Sequence, residues 1–344
     1  MKKISVQKST DLGLLFYDNP VHMIGQDAAY SILIDDEKAL WIFGDTLIGK
    51  IDPESNRREI DDMPTNTGLI CPTQEPTVGL KEFTYLTNEN GRLKELVRFL
   101  EDESPKDYRV WAMHGCHLEG KVYLYYVKVR LQPEKDWPYK FSISGSGLAV
   151  ADFPELNFTR VKHQNTTHLW AGDEPCFGVA VLPDHRERLV YVYGTRLENK
   201  IHRCYLARVP FEHITDITRY EYLISPKPEW SRDSTGMIPI LRGMPTEMTV
   251  SFNNHLGCYL AVYSRDKTSN IEACTAPNPW GPWSEPTVLH TAKAGLRNPL
   301  VYGGPTVYAG KEHPELAREN GKIIYLTFIE FEEYFPHLVE VVLG

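Results

Sequence analysis

Apolar and polar residues alternate in short runs along most of this chain, and long helical periodicity is nearly absent. At residues 122–131 (VYLYYVKVRL), Val127, Val129 and Leu131 alternate with Lys128 and Arg130, the period-two pattern of a strand with one buried face. The earliest such pair lies at 28–34 and 39–43. Both runs are too short for convincing helices, and the acidic turn Asp35-Asp36-Glu37 separates them, which predicts a hairpin. Asp27 precedes the first strand and Asp45 follows the second. Antiparallel pairing therefore brings both carboxylates to one end of the hairpin.

Beyond the hairpin, 50–64 is charged and Pro-bearing and reads as a surface loop, before strands at 66–70 and 83–86. Leu93, Leu96, Val97 and Leu100 have helical spacing among β-rich neighbours and leave that segment undecided. A second round has strands at 108–114, 121–131 and 147–151, and a third at 176–182, 189–194 and 201–209. A fourth has 248–252, 256–263 and 271–275. The fifth has 300–307, 322–329 and 338–343, only three, which residues 4–7 would complete. Five rounds bounded by Gly, Pro, Asn and Asp, roughly 50 to 80 residues apart, predict an all-β protein: a five-bladed β-propeller over 1–344 as a single domain, closed by its N-terminal strand. A pair of β-sandwiches is the competing architecture.

Composition narrows the partners. The net charge of −9, with no Lys/Arg cluster, argues against nucleic acid and fits a neutral carbohydrate better. Six scattered cysteines without a CxxC argue against a metal site built from them. The start MKKISVQKST has no apolar signal core and no run reaches membrane-spanning length. A cytoplasmic protein is expected, or a secreted one if a signal has been removed. Oligomeric state is not legible.

Polar residues just before the innermost strands of a propeller face a shared pocket. Those residues are Gln26-Asp27, Asp107, Asp173-Glu174, Thr246-Glu247 and Asn298. Glu247 is followed by Met248 and Val250, and a desolvated carboxyl holds its proton, as a general acid must. Glu247 is thus read as the acid, Asp27 as base or nucleophile, and Asp45 as support. His114, Trp111, Trp170, Asp173, Glu174, Tyr302 and His313 are the candidate sugar contacts, with a packing role as the competing reading for each histidine and aromatic. No zincin histidine pair, phosphate-binding Gly-rich loop or GxSxG elbow is present. No cofactor is expected, and a structural channel ion such as calcium stays open.

Several stretches together resemble a known family. They are WIFGDT at 41–46, Glu247 with the strand after it, PWGPWSEP at 279–286, Tyr302 followed by His313-Pro314-Glu315-Leu316, and IIYLTF at 323–328. The set resembles the family catalogued as domain of unknown function 4185, five-bladed propellers with members recognised as endo-D-arabinanase glycoside hydrolases. More distantly it is similar to arabinanase and fructosidase propellers, which use an aspartate in blade one and a glutamate acid in a later blade. The resemblance implies an acid-lined pocket cleaving a furanosidic, arabinan-like oligosaccharide or polysaccharide, with inversion. Carried over, it gives Asp27 or Asp45 the base or nucleophile role and Glu247 the acid role. Asp173-Glu174 and the LTF of the last strand depart from the pattern. A non-catalytic glycan-binding propeller and a protein-binding scaffold are the alternatives.

Overall fold

The alternating runs become antiparallel strands. A computed structural model describes residues 4–344 except 56, 74–75, 77–79, 136–139 and 294–306, and among the described residues the only helices are one-turn 3-10 segments. The first large sheet orders Tyr30–Leu33, Lys38–Phe43, Thr67–Pro72 and Thr84–Tyr85, with Tyr30 opposite Ile42 in the predicted hairpin. The second begins Tyr108–Leu118, Lys121–Leu131, Phe141–Asp152. The third begins Cys176–Asp184, Leu189–Glu198, Ile201–Pro210. The fourth runs Met248–Asn253, Cys258–Ser264, Asn270–Ala276, Thr287–Thr291. In the fifth, Val307–Glu312, Ile323–Glu330 and Pro336–Leu343 are followed in space by Val6–Leu14, paired from Val6 opposite Leu343 to Leu14 opposite His337.

Two expectations change and one open segment is settled. Residues 50–64 are not simply a loop: Thr46–Ile51 and Arg58–Asp62 pair with each other, and Met23–Gln26 adds to make a three-stranded sheet. Arg58–Asp62 is mostly exposed and has no apolar face, so alternation could not reveal it. The first strand of the fifth sheet is Val307–Glu312; residues 300–306 of the expected strand lie outside the described residues. That strand buries Lys311 and Glu312, so its inward positions read as polar. Residues 93–100 form no regular helix. Leu96 and Val97 are buried, and Val97 N–H donates to Asn66 Oδ1 at 2.8 Å.

The first strands of the five large sheets meet in sequence. Val181 N–H of the third donates to His114 Nδ1 of the second at 2.9 Å, so His114 Nε2 carries the proton and faces Ser31 O of the first at 3.3 Å. Glu312 N–H donates to Thr249 Oγ1 at 2.7 Å, joining the fifth sheet to the fourth. Ser31 Oγ lies 2.6 Å from His313 Nδ1, which brings the fifth back to the first. Side-chain bonds thus bridge sheets whose backbones are paired only within themselves.

Candidate functional site

A cavity of about 790 Å³ opens where these first strands begin, and Asp27, Asp45 and Glu247 all line it. The hairpin explains the first two. Gly44 N–H donates to Asp27 O at 3.2 Å, tying the strand ends together, and Asp45 follows directly. After Asp27 the chain turns through Ala28 and Ala29, both left-handed, with φ of 64° and 60°. Strain of this kind persists only where the surroundings over-determine it, and it clusters at functional sites. Gly44 is required by contact: a Cβ there would stand 2.4 Å from Asp27 Oδ1. Gly44→Ala is therefore expected to displace the carboxyl with little change in melting temperature; carbon-13 NMR of the Asp27 side chain and a melting curve read both.

Burial, first, pushes the Asp27 carboxyl up to about 8, and the neighbouring charges of Asp45 and Glu247 push the same way. Hydroxyls of Tyr334 and Tyr308 oppose the shift, Tyr308 Oη donating to Asp27 Oδ2 at 3.2 Å. Asp27 keeps a face open to the cavity but has protein on its other sides, so desolvation still dominates. Asp45 is raised less, to about 6, again by burial, because the Arg109 guanidinium and the Trp111 indole favour its anion. Arg109 Nε lies 3.8 Å from Asp45 Oδ1, and that oxygen accepts no hydrogen bond among the described residues. Asp27 thus holds its proton to higher pH than its hairpin partner Asp45, one of whose oxygens is left without a hydrogen bond among the described residues.

Glu247 is half-exposed at the cavity edge and accepts a hydrogen bond from Thr246 Oγ1. Met248 and Val250 are buried, with the strand carrying them into the core away from the carboxyl. The deeply desolvated carboxyl is Asp27, not the glutamate that sequence neighbours suggested.

Trp111 lines the cavity, edge-on to Phe141 at 5.1 Å between ring centres. Five other expected sugar contacts are placed elsewhere. His114 is enclosed between Val181 and Ser31, stacked on Tyr30, and burial lowers its imidazole to about 4. His313 is fully buried against Ser31, Thr327 and the Trp41 ring. Trp170 is core, its indole N–H donating to Tyr222 Oη at 2.9 Å. Asp173 is exposed on a turn, and Glu174 Oε2 accepts Ala171 N–H at 2.8 Å, away from the cavity. All of these except the exposed Asp173 spend polar atoms on their own neighbours. Tyr302 lies outside the described residues.

Tyr308, Tyr334 and Arg109 line the cavity without having been singled out. Tyr308 stands at the start of a first strand, close to the kind of position that selected Asp27, and lies on a strand whose pattern the sequence does not reveal. Val127, Val129, Leu131 and Ile143 form an aliphatic wall that suits an apolar ligand face rather than hydroxyl groups. All six cysteines are free and buried, and among the described residues no group of three or more His, Cys, Asp or Glu side chains could hold a metal ion.

Among solved structures the chain is similar to a putative hydrolase from Bacteroides ovatus, with 16% identity, a TM-score of 0.66, and coverage of 94% of this chain and 87% of that one. The GH43_1 enzyme from Xanthomonas citri complexed with xylose has 17% identity and a TM-score of 0.52, covering 98% and 90%. The exo-β-1,3-galactanase from Phanerochaete chrysosporium with β-1,3-galactotriose has 10% identity and a TM-score of 0.52, covering 97% and 64%. At these identities the likeness is one of fold. No curated protein matches the sequence. The family described as Domain of unknown function (DUF4185) matches residues 5–340, nearly the whole length, and the chain belongs to that family.

Proposed function

We propose that this protein is a glycoside hydrolase acting on a furanosidic, arabinan-like or related glycan, and that its five large sheets are the blades of one five-bladed propeller closed by Val6–Leu14. The observation that carries the reading is the pair of carboxyls at one end of the first hairpin, Asp27 held near 8 and Asp45 near 6. Environments that push two acids apart supply a proton donor and a base together. Similarity in fold to sugar-bound enzymes supports the substrate class.

In the proposed reaction Asp27 gives its proton to the leaving glycosidic oxygen as the bond from the anomeric carbon breaks. Water attacks that carbon from the other face, and Asp45 takes the water's proton. Exchange with solvent then returns a proton to Asp27 and removes one from Asp45. Glu247, by its negative charge, keeps Asp27 protonated to higher pH. This assignment differs from the sequence expectation, in which Asp27 was the base and Glu247 the acid. Inversion is carried over from propeller enzymes, and the first-formed anomer, read by proton NMR, decides it. The whole reading is tested by incubating the protein with arabinan, galactan and fructan oligosaccharides beside Asp27→Asn. Release of reducing ends by the parent alone is the expected result. Sugar binding without release makes the protein a glycan-binding propeller instead.

A further inference from the structure

A fully enclosed ammonium lies close to the carboxylates. Lys311 is on strand Val307–Glu312 and has no exposed surface. Its Nζ donates to Ala28 O and to Ala309 O, the second at 2.6 Å, and sits 4.6 Å from the centre of the Tyr30 ring. A buried cation costs several kcal/mol unless its protons find partners, and here two carbonyls and a ring face meet them. Both carbonyls belong to left-handed alanines, with φ of 64° at Ala28 and 56° at Ala309. Each such residue is strained and needs its surroundings to hold it.

The placement of those alanines matters. Ala28 directly follows Asp27 and Ala309 directly follows Tyr308, while Tyr308 Oη donates to Asp27 Oδ2. Ala29 N–H returns to Asp27 O at 2.9 Å, so the turn after Asp27 is tight. Ammonium, two carbonyls, hydroxyl and carboxyl make one closed circuit.

We propose that Lys311 is a positioning residue of this site: by holding the carbonyls of Ala28 and Ala309 it fixes the direction in which the Asp27 carboxyl and the Tyr308 hydroxyl face the substrate. It touches no substrate and acts through the backbone. The proposal rests on the hydrolase reading for its effect on rate. The groups facing Asp27 are Asp45, Glu247, Tyr308 and Tyr334, and Lys311 is a nearby cation whose ammonium burial pushes down to about 8, against the charges of Glu247 and Asp27, which favour its protonation. Its charge in turn favours the Asp27 anion, because such coupling is reciprocal.

Lys311→Met keeps the aliphatic stem and removes the charge and the donors. Lys311→Gln, which retains a donor, serves if the methionine variant does not fold. The expected result is a kcat about 100-fold lower with KM within about three-fold, at unchanged near-UV circular dichroism. Alongside it, the Asp27 carboxyl, followed by carbon-13 NMR titration, moves to higher pKa, and the alkaline limb of the rate profile moves up with it. A purely structural lysine would lower stability without splitting kcat from KM. Turnover within three-fold of the parent, an unmoved Asp27 titration, or failure of both variants to fold each overturns the proposal. The titration needs no substrate, so a parent that cleaves no glycan defeats the hydrolase reading while the Lys311 coupling is still measured.

Discussion

Replacing Asp27 by asparagine is expected to lower turnover on a natural glycan by about three orders of magnitude, the scale of a lost general acid, with the protein still folded. Asp45→Asn is expected to be at least as damaging. The two losses differ in kind. A missing proton donor matters least when the leaving group departs easily, so Asp27→Asn should recover most of its rate on a nitrophenyl glycoside, whereas Asp45→Asn should not. If Glu247→Gln shows the leaving-group rescue instead, the glutamate is the acid and the sequence expectation stands. Stability supplies a second reading of the same substitution. The Asp27 pKa is raised from 3.8 to about 8, so between those values the native state holds a proton that the unfolded chain has lost. Native stability therefore falls as pH rises through that window. Asparagine has no such dependence: Asp27→Asn should melt higher than the parent at pH 8, with the gap closing towards pH 4.

The pH dependence of kcat/KM should be a bell, rising as Asp45 loses its proton near pH 6 and falling as Asp27 loses its own near pH 8. These limbs belong to the coupled group rather than to isolated residues. Glu247→Gln separates the contributions. The glutamate charge raises Asp27 and is absent from the main influences on Asp45, which are burial, Arg109, Trp111 and Glu95. The alkaline limb should move to lower pH in that variant while the acid limb stays. An alkaline limb that does not move would remove Glu247 from the tuning of Asp27.

Much of the fold was legible because most strands are short apolar or alternating runs bounded by Gly, Pro, Asn and Asp. Lys121–Leu131 matches its expected bounds, and Met248–Asn253 differs by one residue, since alternation marks both. The charged strand Arg58–Asp62 and the strand burying Lys311 and Glu312 were missed for the same reason turned round: neither carries the expected apolar pattern. At the site, pairing logic brought Asp27 and Asp45 to one cavity, and position before a first strand brought Glu247 there. Residue type alone did less well. His114, His313 and Trp170 look like ligand groups in the sequence, but each satisfies its polar atoms within the protein, which only the three-dimensional neighbours reveal. Electrostatics was least legible of all. Apolar neighbours along a strand do not desolvate a carboxyl at its end, whereas Asp27 is desolvated by segments distant in the chain.

The pairing of Val6–Leu14 with Pro336–Leu343 has a consequence for how the cavity forms. The sheet it completes carries Tyr308 and Lys311, so the far extremities of the polypeptide must zip together before that wall of the cavity has its outermost strand. Closing so long a loop costs little more than closing one of half the length, since each doubling adds only about 0.6 kcal/mol, but the search for it is slow. Completion of the cavity should therefore be a late event in folding, arriving after the middle sheets have already become compact.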